Sequence, residues 1–439
     1  MEKNSIIHND VQISNTMGMN LVNKLTIINC PGKHARLEIE GILNDTQEIL
    51  EWQKRQEDYC ISVFHKGIPV FYGIVMKAEF VHEGGLDKAR LEAYAMSIKF
   101  DMEKRNKAYQ NMNLSYMELI EKVVENTKEA HCYGDSTYKD CPPKPIIQYQ
   151  ESDWEFIKRL ASRLGTVVYS DSTSKRPFLW IGMPVGRKQE SIFSPVMYQH
   201  GISPNYQRMG GCEETRMSDY EYYIVKSYDP LTLGSVVTYK EKEWHIVEIQ
   251  AGLDKDEMVY SYTLGRRAYL NQKRYDNPIL TGVSLPGEVI HTEAEKIKIK
   301  LDIDSNQAGD RYMYDWMPDT GSAMYCMPEK GSRVSLYFAD ASEESGRVIN
   351  CVRTNQDECH DYEDNTCRSL TTAHHKKMFL NQESVGLDGG EPGQLVAMED
   401  DLGIALGSNK SIKIKAKKGL EIKGRKITFE TKKELNIQN

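Results

Sequence analysis

Three groups of side chains have types and spacings that could do chemistry. Asp302-x-Asp304-x-Asn306 opens like a calcium loop, in which alternating oxygen ligands converge on one ion. The pattern then departs. Gln307 stands where the sharp turn needs glycine and Met313 where a bidentate glutamate belongs, so a solvated loop between strands is expected. Cys359, His360, Cys367, His374 and His375 form a Cys/His-rich stretch. Zinc takes four such ligands, often in short paired spacings, and here the spacing is irregular and Cys-x-x-Cys is absent. These five are weak metal candidates, and the expected metal and cofactor complement is none. The acids Glu343-Glu344 and Glu399-Asp400-Asp401 sit in apparent turns, whereas catalytic carboxylates need a cleft and unlike environments. Solvated turns are the expectation. No phosphate-binding loop, G-x-S-x-G, H-E-x-x-H or dinucleotide fingerprint occurs, so no catalytic residue is assigned and no enzyme is expected.

The segment YQESDWEFIKRLASRLG, residues 149–165, concentrates charge and aromatic rings in one helix length. Ser152 and Glu155 form a capping box. Phe156, Ile157, Leu160, Ala161 and Leu164 follow at helical spacing, and Gly165 suits the residue after the helix. Asp153 in the first turn and Arg159 and Arg163 toward the end match the helix dipole. A packing helix is expected, with neither Asp153 nor Glu155 as a catalyst. Ser115 and Glu118 form a second capping box, followed by the stripe Leu119, Ile120, Val123 and Val124.

The elements that must position these residues are mostly strands. The chain has 439 residues, enough for about three or four domains. Its net charge of -8 argues against a duplex-binding protein, and no nucleic-acid partner is expected. No apolar run is long enough to span a bilayer, and the first residues lack a signal-peptide core. Nine scattered cysteines do not read as a secreted disulfide scaffold, and Cys132 and Cys141 are expected as free or buried thiols. Assembly in the cytoplasm is the expectation.

Residues 1–108 read as short strands of a first barrel-like domain. Gly67 suits a hairpin turn and Gly73 a bulge, while Tyr94, Met96, Ile98 and Phe100 alternate along one strand face. Residues 109–205 form an α/β insertion carrying the capped helices, and 206–276 return to strands as a second barrel-like domain. Residues 277–354 have the size and strand count of an OB-type barrel. Residues 355–375 read as a linker. In 376–439 the apolar pairs Ile412/Ile414, Leu420/Ile422, Ile427/Phe429 and Leu435/Ile437 recur roughly every eight residues, separated by Lys, Gly and Thr. Strand-turn repeats this short must stack or intertwine with other chains. The interleaved lysines then form their outer face.

Taken together, these segments resemble the VgrG and phage late-control D proteins, the hub–spike components of contractile tails, type VI secretion systems and extracellular injection systems. Tyr149, Ser152, Asp153, Trp154, Phe156, Arg159 and Leu160 carry the signature-like segment. Pro328, Gly331 and Gly346 match the OB-type barrel of that family. The resemblance covers about residues 20–439. It implies a mainly β fold with α insertions: two hub barrel-like domains, an OB-type barrel and a C-terminal trimeric β-prism or β-helix needle. It also implies a homotrimer that adapts a hexameric, Hcp-like inner tube to a threefold needle, with baseplate proteins, a PAAR-like tip protein, possible effector cargo and a transiently pierced target membrane as partners. Delivery out of the cell follows contraction. A cell-wall-degrading tail enzyme, or an OB module that binds polysaccharide or nucleic acid through Tyr312, Tyr314, Trp316, Tyr325 and Tyr337, are the alternatives. The helical insertion an embedded lysozyme-like domain would need is not seen.

Overall fold

The computed structural model describes residues 5–8, 10–44, 47–54, 58–186, 188–192, 198–209, 216–255, 257–304, 311–321, 326–352, 366–372 and 374–432. The chain divides into two compact units, Met1–Val352 and Arg353–Asn439.

In the first unit, β1 (Ser5–His8), β2 (Val11–Ser14), β3 (Met19–Asn29) and β4 (Arg36–Leu43) precede helix α1 (Gln47–Lys54); β5 (Cys60–His65), β6 (Ile68–Glu83) and β7 (Leu86–Ala95) follow. They lie in the antiparallel order β1-β2-β5-β6-β7-β4-β3. Period-two alternation buries Leu25 and Ile27, Leu37 and Ile39, and Leu91, Ala93 and Ala95 on one face. Lys66 and Gly67 both take left-handed backbone (φ 51° and 74°), the two-residue turn expected between β5 and β6.

Two local expectations fail here. The bulges of β6 fall at Val70, against Val63/Phe64 of β5, and at Met76, between Val75 and Lys77, not at Gly73. Gly73 is needed for packing instead, because a Cβ there would lie 2.3 Å from the Tyr94 carbonyl oxygen. The second failure is the strand through Phe100. The ladder ends at Ala95, and Met96–Asp101 forms a 3-10 turn that buries Met96, Ser97 and Phe100. Ala93 and Ala95, not Tyr94, take the core face, since the small residues fit closely beneath the neighbouring strands.

The α/β interlude contains β8 (Lys104–Tyr109), α2 (Tyr116–Val124), β9 (His131–Gly134), β10 (Ile146–Ser152), α3 (Asp153–Arg163), β11 (Val168–Ser170) and β12 (Phe178–Ile181). Both capping boxes form as the sequence indicates. The apolar stripes of α2 and α3 close a core with Tyr109, Ile146 and Leu179.

Next come β13 (Lys188–Ile192), β14 (Tyr198–Ile202), α4 (Asn205–Arg208), β15 (Glu221–Ser227), β16 (Val236–Tyr239), β17 (Lys242–Asp254) and β18 (Glu257–Gly265). At this point the two β regions join. β17 pairs antiparallel with β3, from Ile249↔Asn29 to Gly252↔Thr26, so both regions belong to one thirteen-stranded sheet with one hydrophobic core. The open edges satisfy each other's backbone groups.

Residues beyond Asn277 form β19 (Ser284–Glu293), β20 (Lys296–Leu301), β21 (Met313–Asp315), β22 (Arg333–Tyr337) and β23 (Arg347–Val352), in the order β21-β20-β19-β22-β23. The two ends of this sheet meet through a bridge between Trp316 and Val348, beside which the Met317 N–H donates to the Val348 carbonyl (2.9 Å).

The second unit is a five-stranded antiparallel meander: β24 (Arg368–Thr371), β25 (Lys377–Leu380), β26 (Ser384–Asp388), β27 (Leu395–Glu399) and β28 (Gly403–Gly407). Its first strand falls inside the stretch expected to be linker. β24 has the four-residue pattern RSLT with one apolar side chain, too little alternation to announce a strand. Residues 408–432 form no strand within this chain.

Candidate functional site: a buried ionic junction on helix α3

Helix α3 is where the parts of the first unit meet. Ser152 caps it, its hydroxyl accepting the Glu155 N–H (3.1 Å) while the Glu155 carboxylate accepts the Ser152 N–H (3.0 Å). Just before it, Gln150 adopts left-handed backbone (φ 50°) in a bulge of β10. That bulge places both Glu151 and Ser152 inside the protein.

The guanidinium of Arg159 is fully buried. Its Nε and Nη2 donate to the two carboxylate oxygens of Glu151 (2.8 and 2.7 Å), and Nη2 also donates to the Ile147 carbonyl (2.8 Å). Its Nη1 donates to Glu343 (2.5 Å), a residue 184 positions away in the OB-type module. Arg163 donates to the other oxygen of Glu343 (2.5 Å) and to Asp276 (2.8 Å). One face of the Arg159 guanidinium lies 5.1 Å from the Phe156 ring. Burial alone would push the Glu343 carboxyl up, but Arg159 and Arg163 outweigh it and hold it below the ordinary carboxylate value. Arg159 likewise stays above its ordinary value, Glu343 and Glu151 outweighing the cost of burial.

The other end of α3 grips the N-terminal β region. Trp154 stacks on His34 with ring centroids 3.9 Å apart. His34 Nδ1 hydrogen-bonds Ser97 (2.8 Å), and the Ser152 hydroxyl hydrogen-bonds Asp101. Burial lowers the His34 imidazole below its usual value. Asp153 is buried, accepts from Gln148 (2.9 Å) and faces Arg105 at 3.2 Å. The C-terminal end holds the second β region: Gly165 accepts the Gln272 N–H (3.0 Å), and the Tyr275 N–H donates to the Ser162 hydroxyl (3.3 Å).

The signature-like residues therefore converge. Tyr149 packs toward the OB-type core and its carbonyl accepts from Asn277 (2.8 Å), while Phe156 and Leu160 fill the interlude core. Gly346 serves the same junction: a Cβ there would meet the Phe338 ring at 3.0 Å and the Glu343 carbonyl at 3.2 Å, so glycine lets the 3-10 turn Glu343–Ser345 fold inward. Pro328 is buried and Gly331 has φ 90°, and both belong to the turn into β22 rather than to the junction.

One sequence expectation is overturned here. Glu343 is not in a solvated turn; it is 2% exposed. Its neighbour Glu344 is exposed and pairs with Arg274 (2.8 Å). Arg163 lies in the last turn of α3, where the dipole favours it, and both Arg159 and Arg163 are in addition buried against counter-charges. Sequence reasoning missed Glu343, Glu151, Asp276 and His34. The surviving signal was a helix with arginines on its apolar side, at Arg159 beside Phe156 and Leu160.

Of the metal candidates, Cys359 and His360 lie outside the described residues. Cys367 is partly buried and His374 and His375 are exposed. Among the described residues, no three His, Cys, Asp or Glu side chains form a metal-holding group. Asp304 is turned toward Gln110 (2.8 Å) and the Leu301 N–H (3.0 Å), and Asp302 pairs with Arg333, so the calcium-like acids serve loop structure. Asn306 and Gln307 lie outside the described residues. No described helix is long and apolar enough to cross a membrane.

No family model matches the chain, and no curated protein matches it. Solved structures do. The chain is similar to the E. coli c3393 protein, a component of the type VI secretion system with structural similarity to the T4 bacteriophage tail proteins gp27 and gp5. That match has 13% identity, covers 78% of this chain and 99% of that one, and has a TM-score of 0.54. It is also similar to a chain of the half-lidded Francisella PdpA-VgrG complex (9% identity, 92% of this chain and 88% of that one, TM-score 0.56). The lidless PdpA-VgrG complex gives 8% identity, 88% and 93% coverage and a TM-score of 0.55. At such identities the likeness is one of fold, and it extends over most of this mainly β chain with its α insertions.

Proposed function

We propose that this chain is the structural hub and spike of a contractile injection machine, working as a homotrimer. In this reading the thirteen-stranded sheet and its α/β interlude form the hub on which a hexameric inner tube sits. Residues 277–354 form the neck and 376–439 the needle.

The observation that carries the reading is an unfinished surface. In the second unit, Met378, Leu387, Val396 and Leu406 lie side by side across four strands, and Leu380, Val385, Met398 and Ile404 form the adjoining row. All eight are exposed, from 44% at Val396 to 71% at Ile404. The opposite face carries Phe379 over Gly386, Ala397 and Ala405. Ile412, Ile414, Leu420, Ile422, Ile427 and Phe429 continue the exposed apolar series, while Leu435 and Ile437 lie outside the described residues. A sheet with one long apolar face does not stay in water alone; identical faces from three chains, packed about a threefold axis, bury it. Strand-forming pairs in 412–429 that find no partner in their own chain gain them between chains.

The mechanism is mechanical. A sheath supplies the work, the buried charges at α3 keep hub and neck in fixed register, and the needle carries a PAAR-like tip, with or without cargo, through a target membrane. Assembly on a cytoplasmic baseplate precedes delivery. The alternative OB-type binding module loses one of its aromatics, because Tyr314 is 2% exposed and belongs to the core; Tyr325 lies outside the described residues.

Light scattering on the full chain tests the reading. Three times 50.4 kDa is expected, and a stable monomer with ordered strands beyond residue 376 overturns it. Clearing of peptidoglycan in a zymogram favours the hydrolase alternative.

A further inference from the structure

The segment that follows β28 holds a charge excess that the hub-and-spike reading does not use. Residues 410–432 carry eight Lys and one Arg against Glu421 and Glu430, a net +7. The whole chain carries -8, so the rest of it carries -15. The contrast is sharpest inside the second unit, where residues 377–407 hold six acids and one Lys, a net -5. Lys433 and Glu434, next in the sequence, cancel.

Three observations define the partner. The positive charge is available: every residue from 408 to 432 is exposed. Lys410 pairs with Glu391 (3.1 Å) and Lys423 with Glu421 (2.7 Å). Lys413, Lys415, Lys417, Lys418, Arg425 and Lys426 have no ion-pair partner among the described residues. Burying the apolar pairs does not hide this charge. Lys413 and Lys415 alternate with Ile412 and Ile414, and neighbours in an extended chain point to opposite faces. Burial of the isoleucines between chains turns the lysines outward and gathers three copies of a +7 segment, whose mutual repulsion a negative surface relieves. Finally, the charges are dispersed and mostly lysine. Lysine is a compact, hydrated point charge, whereas bidentate capture of a single phosphate favours arginine. Phe429 is the one aromatic residue in the segment, too few to stack the bases of a single strand. A duplex would meet the net negative charge of the remaining chain.

We propose that residues 410–432 form a docking surface for the anionic phospholipid headgroups of a membrane. A fluid lipid array brings a phosphate under each lysine, so charges spread along a strand need no ligand of matching shape. A folded acidic protein would have to match their spacing. The use of this surface at a target membrane rests on the hub-and-spike reading, which the binding deepens by naming what the needle recognises. The two fail separately, because vesicle affinity and molecular mass are measured independently.

Vesicle sedimentation with the full-length chain tests it. At low salt, equimolar phosphatidylcholine–phosphatidylglycerol vesicles are expected to bind at least about a hundredfold more tightly than phosphatidylcholine vesicles. Lys413→Gln, Lys415→Gln, Lys417→Gln and Lys418→Gln together are expected to weaken that binding by about a hundredfold or more, at about fivefold per lysine. The same four positions changed to Arg keep it within about threefold, because the charge is retained. Raising the salt from about 0.05 M to about 0.5 M is expected to cost at least about tenfold. Mass by light scattering and thermal unfolding are expected to be unchanged in both variants, since the four side chains are exposed. Equal binding to neutral vesicles, or binding that survives the four Gln substitutions or high salt, overturns the proposal, the apolar pairs then being what inserts. Tighter binding to a short DNA duplex than to the anionic vesicles overturns the lipid in favour of nucleic acid. A trimer that ignores anionic vesicles sinks this binding alone, and a monomer that still binds them sinks the trimer alone.

Discussion

The two units solve the burial of apolar surface in opposite ways. The first buries its own: the sheet core, the α/β interlude and the OB-type module each close within one chain, and even its arginines at α3 are buried with their counter-ions. The second has strands in good register but almost no inside; Ala397 is its one buried large or small apolar side chain among the described residues. A strand pattern alone does not say whether its apolar face meets another part of the same chain or another chain. On the proposed reading, the second unit is a surface to be shared between chains, while the first unit buries its apolar surface within its own chain.

The largest expected effect tests that contrast directly. Leu387→Asp with Met398→Asp places charges on the apolar face of the second unit. Light scattering is expected to show mass falling from three times 50.4 kDa to 50.4 kDa, while thermal unfolding of the first unit stays in place. A trimer that survives both charges would mean that the hub, not the needle, holds the chains together.

Within the first unit, Glu343→Ala leaves Arg159 and Arg163 buried with too few counter-charges, and is expected to cost about 3–5 kcal/mol in chemical denaturation. If the loss is under about 1 kcal/mol, the junction is wetter than its geometry implies. Acidification follows from the same pair. The folded-state pKa of Glu343 lies below its ordinary value of 4.5, so its contribution is fully present above about pH 4.5 and is lost as pH falls through the depressed value. Glu343→Gln is therefore expected to flatten the acid limb of a stability-against-pH curve, with the native chain losing stability more steeply below pH 4.5. The smallest effect is expected at the surface: Arg333→Ala removes an exposed partner of Asp302 and is expected to cost less than about 1 kcal/mol by the same denaturation measurement.

Much of the scaffold was legible before any coordinates. Ser115/Glu118 and Ser152/Glu155 announced two helix starts, because a cap is a local contract between residues three apart. The alternation in β3 and β4 announced strands, because burial on one face repeats every second residue. What stayed hidden was long-range. Glu343 lies in a run of acids and serines that reads as solvent-exposed, and nothing near it in sequence reveals two arginines from a helix 184 residues upstream. The continuation Met96–Phe100 mimicked strand alternation until the chain turned at Ala95.

By itself, then, the sequence determined the local vocabulary: caps, two-residue turns, strand periodicity, and a C-terminal apolar repeat too short to hold a core. Those follow from interactions within a few residues. The tertiary structure decided how the pieces join: β3 to β17, α3 to Glu343, and His34 beneath Trp154. Such contacts depend on which open edge and which buried charge happen to face each other after folding, and that information is spread over separations too large for any local pattern to carry.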